Sequence, residues 1–72
     1  MKPEQIKLNL NKRVRYKNEQ SGIDAEYTLT GAIFRKDKGS YFYQAELQDV
    51  KNNNSIVICS LDQVEAISQE AT

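Results

Sequence analysis

In three stretches of this 72-residue chain apolar and polar side chains alternate residue by residue. That period of two is the feature that most limits what the chain can fold into. Neighbouring side chains on a strand point to opposite faces, whereas a helix needs apolar residues three and four apart. In KRVRYK, residues 12–17, Val14 and Tyr16 fall on one face and Arg13, Arg15 and Lys17 on the other, which reads as a half-buried strand. In AEYTLTGAIFR, residues 25–35, Tyr27, Leu29 and Ile33 lie at even spacing, with Thr28 and Thr30 opposite. β-Branched and aromatic residues dominate this longest strand. Gly31 sits inside it and Phe34 breaks the alternation, a pattern that predicts a bulge or a sharp bend. YFYQAELQ then places Tyr41, Tyr43, Ala45 and Leu47 inward, and Phe42, Gln44 and Glu46 outward. SIVICS, residues 55–60, is a short continuous apolar run, expected of a strand covered on both sides or crossing the core.

The connections carry turn chemistry. NEQSGID, residues 18–24, is polar and aperiodic and reads as a loop. KDKGS is a hairpin connection with Gly39 for a left-handed position, and DVKNNN is a second turn whose three Asn tolerate positive φ. Leu61, Asp62 and Gln63 are too few for an α-helix, and Val64–Ile67 then forms a last strand. Ahead of these, residues 1–11 form a lead-in segment. Pro3-Glu4 opens a turn or frayed helix there, although Ile6, Leu8 and Leu10 alternate like a strand. Residues 68–72 read as a frayed polar tail. The expectation is one all-β domain over residues 12–67.

The order is strand, long polar loop, long bent strand, tight hairpin, strand, tight turn, strand, one short turn, strand. In this order the chain resembles the SH3-like small barrels, whose fourth and fifth strands are joined by a single 3₁₀ turn, here Leu61 to Gln63. The resemblance implies a five-stranded SH3-like barrel with the first strand between the second and the fifth. The chain departs from the peptide-binding SH3 domain in having NEQSGID after its first strand and no Trp, so polyproline recognition in an aromatic groove is not carried over. In general character the chain is also similar to small barrel proteins of bacterial genomes and their mobile elements.

Composition narrows the chemistry. With no His and a single Cys, the usual Cys/His zinc site and any Cys-His or Ser-His pair are ruled out. No cofactor or metal is expected. One Cys forbids an internal disulfide, which fits a reducing compartment. No apolar run approaches the roughly 20 residues that span a bilayer, and the expected location is cytoplasmic. Cys59, inside the apolar run, reads as a buried thiol rather than a nucleophile. The carboxylate pairs Asp24/Glu26 and Asp62/Glu65 lie at strand ends without a companion motif, so the chain is read as non-enzymatic.

The zero net charge conceals a polarity. Residues 1–17 hold six basic residues against Glu4, whereas the segment from Gly39 onward holds one Lys against five acids. Arg13, Arg15 and Lys17, with Arg35, Lys36 and Lys38 of the hairpin, are candidates for contacting phosphates, and Phe42 for stacking on a base. The alternative is that Arg13 and Arg15 meet Glu26 and Glu65 across neighbouring strands, the arrangement the barrel resemblance implies. Tyr16, Tyr27 and Tyr43 are expected in the core, with Tyr41 the exposed exception. Phe42 either packs on Ile6, Leu8 or Leu10 or marks a contact surface. The functional expectation is a binding module for a protein partner or a second copy, reached through an unblocked strand edge. A nucleic-acid-binding barrel and a structural accessory subunit are the alternatives.

Overall fold

The computed structural model describes residues 1–52 and 54–67; the expected frayed tail, 68–72, lies outside them. A 3₁₀ turn, Pro3–Gln5, runs into the short helix α1, Ile6–Asn9. Five strands follow: β1 Arg13–Asn18, β2 Ile23–Asp37, β3 Ser40–Asp49, β4 Ile56–Ser60 and β5 Val64–Ala66. They form one antiparallel sheet in the order β4-β3-β2-β1-β5. A 3₁₀ turn, Leu61–Gln63, joins β4 to β5. The fold is all-β, and the turn before the last strand falls where the sequence placed it.

That turn makes the sheet roll. β4 and β5 are its opposite edges, which in a flat sheet lie four strand spacings apart, roughly 19 Å at about 4.8 Å each. Even fully extended, the chain from Ser60 to Val64 reaches only about 14 Å. A three-residue connection therefore requires the edges to curl toward one another. The Met1 nitrogen fastens the same corner, donating to the carbonyls of Leu61 at 2.8 Å and Val64 at 2.7 Å.

The enclosed face holds the core. Val14 and Tyr16 from β1, Leu29 from β2, Ala45 and Leu47 from β3, Cys59, Leu61 and Val64 are buried, and Ile6 from α1 covers one end. Tyr27 packs against this cluster, its ring edge-on to Tyr16 at 5.5 Å. The lead-in is tied to the sheet by Asn11, in a left-handed conformation (φ 66°), whose N–H donates to the Leu29 carbonyl at 2.6 Å.

Three expectations are corrected. The connection after β1 is four residues, Glu19–Gly22, because Asn18 pairs with Ile23 and Lys17 with Asp24. Polar side chains there face water from paired strands, so composition alone made them resemble a loop. β4 is covered on one face only: Val57 and Cys59 turn inward while Ile56 and Ile58 stand exposed. An edge strand with apolar residues on both faces reads in sequence like a buried one. Finally, the inward phase of β3 buries Ala45 and Leu47 but not Tyr41 or Tyr43, since the β2–β3 hairpin runs past the end of the core.

The irregularity in β2 is a bulge, and its extra residue is Thr30: Leu29 pairs with Leu47, but Gly31 pairs with Glu46. The Thr30 hydroxyl lies 3.1 Å from the Glu46 carbonyl and 2.9 Å from its carboxylate. The slip inverts the phase. Phe34, out of step with Leu29 in the sequence, is thereby returned to the same face as Leu29, Leu47 and Ala45.

Candidate functional site

The β2–β3 hairpin closes on a two-residue turn, Lys38-Gly39, with φ of 51° and 85°. Positive φ at both central positions is the signature of a type I′ turn, whose twist matches that of the flanking strands. This turn carries both strands beyond the core. Phe34 pairs with Tyr43 and Lys36 with Tyr41, so all four side chains share the face that is core-forming further down.

Among the described residues no layer covers these side chains, and they pack on each other. Phe34 stacks on Tyr41 with centroids 5.3 Å apart and planes 7° from parallel, and Tyr43 tilts against Phe34 at 4.8 Å. The Lys36 ammonium lies 5.5 Å from the Tyr41 ring centre, within cation–π range. Phe34 is 58% exposed, Tyr41 61% and Tyr43 38%. A clustered, exposed set of aromatic rings is the kind of surface that marks a contact site. The sequence singled out Tyr41 and missed Phe34 and Tyr43, because their places depend on the Thr30 slip and on where the core ends.

Phe42 occupies the opposite face and is 39% exposed. With Met1, Pro3, Tyr43 and Leu61 it lines a cavity of about 420 Å³. Met1 and Pro3 bring the start of the chain to that cavity, but Ile6, Leu8 and Leu10 do not line it. Leu8 and Leu10 are exposed.

The basic candidates divide into two groups. On β1, Arg13 pairs with Glu26 at 3.3 Å, Arg15 with Asp24 at 2.7 Å and Lys17 with Glu65 at 3.8 Å. Hydrogen bonding to Asp24, and then its charge, raises the Arg15 pKa further above its ordinary value. The strand order places a carboxylate strand on each side of β1, and all three pairs form diagonally, offset by two residues from the directly opposed position. In the hairpin, the Arg35 guanidinium donates to the Gln44 amide oxygen, Lys36 lies over Tyr41, and Lys38 occupies the turn. None of these three is ion-paired among the described residues.

Cys59 is buried among apolar neighbours, and burial pushes its thiol up to about 11. At neutral pH it is protonated, which is the inert state of a thiol. Among the described residues no three His, Cys, Asp or Glu side chains cluster as metal ligands, and no helix is long and apolar enough to cross a membrane.

Fold and surface together define a small all-β domain with an uncovered aromatic hairpin and a charge-balanced first strand. Compared with protein-family models, curated proteins and solved structures, the chain finds no match in any of the three.

Proposed function

We propose that the chain is a non-enzymatic interaction module, a five-stranded SH3-like barrel that contacts a protein partner through the β2–β3 hairpin. One observation carries this reading: Phe34, Tyr41 and Tyr43 form a stacked and exposed aromatic group on a rigid two-stranded support. Aromatic anchors of this kind supply large contact area at little entropic cost. The barrel assignment is supported by the strand order and by the 3₁₀ turn joining the two edges. It differs from the expectation in its short first connection.

The test is a cross-linking capture with the intact chain as bait, beside Phe34→Ala and Tyr41→Ala. Both side chains are exposed, so the variants keep the wild-type circular dichroism spectrum and melting temperature to within a few degrees. A partner enriched by the wild type and lost with both variants supports the reading. A partner retained by both moves the contact elsewhere, as a purely structural accessory subunit would.

Nucleic acid is the second reading, favoured by Arg35, Lys36 and Lys38, which lie in the aromatic hairpin and carry no ion pair among the described residues. It requires binding to a labelled single-stranded oligonucleotide that falls steeply with salt and is lost in Arg35→Glu/Lys38→Glu. With the β1 cations already matched by carboxylates, the expected result is weak or absent binding.

A further inference from the structure

The two strands of the hairpin are not equally covered at their outer edges. β3 is partnered by β2 along its whole length, but its pairing with β4 ends at Gln44 and Ser60, where the chain turns into the Leu61–Gln63 3₁₀ turn. Among the described residues, β3 therefore has a strand neighbour on one side only from Ser40 to Tyr43. In a two-residue hairpin the closing pair, here Asp37 and Ser40, exchanges hydrogen bonds, and direction alternates along an antiparallel strand. Phe42 thus addresses β2, and the N–H and C=O of Tyr41 point to the open side. The cavity lined by Met1, Pro3, Phe42, Tyr43 and Leu61 begins where β4 stops.

Resting on the protein-partner reading, we infer that this open stretch of β3 is a strand-addition site for an extended, acidic segment of the partner. Main-chain bonds to Tyr41 would hold the segment in register, and alternate side chains would reach the cavity on one face and the Phe34/Tyr41 rings on the other. Charge decides the class of partner. Within residues 34–44, the outer part of the hairpin, Arg35, Lys36 and Lys38 stand against Asp37 alone and are not ion-paired among the described residues, so they attract carboxylates. A second copy would have to present β4, β5 or the same open stretch of β3; β4 and Ser40–Tyr43 carry no acidic residue, and the Glu65 carboxylate of β5 is already paired with Lys17.

The probe is a phage library of random dodecapeptides selected on the intact chain, with the winners resynthesised for fluorescence anisotropy. Acidic, β-prone sequences are expected, and N-methylation at alternate amides abolishes their binding while the intervening amides tolerate it. Tyr41→Ala removes a ring but keeps the donor. Tyr41→Pro also removes the N–H, which edge positions tolerate without loss of the sheet, and it weakens binding about tenfold beyond Tyr41→Ala, the loss of roughly one hydrogen bond. Peptides indifferent to N-methylation and to Tyr41→Pro, yet lost in Phe34→Ala, overturn strand addition and leave the aromatic contact standing. Winners that bind Phe34→Ala and Tyr41→Pro as well as wild type, or no winners at all, overturn both. Concentration-dependent dimerisation blocked by Tyr41→Pro would replace the partner peptide with a second copy.

Discussion

Leu29 and Cys59 show at the residue scale how little redundancy the core has. Leu29 is fully buried between β1 and β3 neighbours. Leu29→Ala is expected to cost about 2–5 kcal/mol from lost transfer and the cavity left behind. In a domain this small each kcal/mol lowers Tm by about 4–8 °C, so a thermal melt should show a fall of about 8 °C or more, or no folded baseline. Cys59 gives a pH signature. Its folded pKa of about 11 lies above the ordinary 9.0, so the folded state disfavours the thiolate. The contribution is complete below the ordinary value and is lost as pH rises from there through about 11. Urea midpoints should therefore fall with rising pH more steeply in the wild type than in Cys59→Ala. Parallel slopes for the two would contradict this. The burial of Cys59 was legible from SIVICS, since free Cys inside an apolar run is usually core.

For the elements, turn and bulge decide more than strand propensity does. Lys38 holds φ of 51°, a conformation costing about 1–2 kcal/mol for an ordinary L-residue and routinely adopted by Asn. Lys38→Asn creates the Asn-Gly pair that type I′ turns prefer. It is expected to stabilise the domain by about 0.5–1 kcal/mol, seen as a higher urea midpoint with unchanged m-value. Gly31 behaves differently from Gly39. The atoms nearest a Cβ there belong to Glu46, at 3.8–3.9 Å, ordinary contact, so Gly31→Ala fits and gains about 0.4–1 kcal/mol by restricting the unfolded chain. The hairpin turn was readable from KDKGS, and a bulge or bend from Gly31 and the broken alternation at Phe34, but not that the slipped residue is Thr30. Which residue of a strand lies opposite none is a property of two strands, and the sequence of one does not contain it.

Across the whole molecule half of the basic residues in 1–17 are matched internally: Arg13, Arg15 and Lys17 each meet a carboxylate of a neighbouring strand. The hairpin carries three further cations, Arg35, Lys36 and Lys38, without ion pairs among the described residues. Exposed pairs of this kind contribute little and are screened by salt. Raising salt from about 0.05 to 0.5 M is accordingly expected to shift Tm by no more than a few degrees; a large fall would mean the lattice holds the sheet together. Binding at the hairpin, by contrast, should respond to Arg35→Glu and Lys38→Glu and not to reversal of Arg13.

By itself the sequence determined the all-β class, the two faces of β1, the tight hairpin at Gly39 and the short turn before the last strand. Each follows from a period of two or from the local chemistry of a few residues, which act over the length of one strand or one turn. Tertiary structure alone decided that β4 is an edge, that the first connection is short, and that Phe34 and Tyr43 stand in solvent. Those outcomes depend on register after the Thr30 slip and on how far the enclosed core extends along the hairpin. Both are relations between strands distant in the chain, and the rolled sheet sets them because a three-residue turn must bring its two edges together.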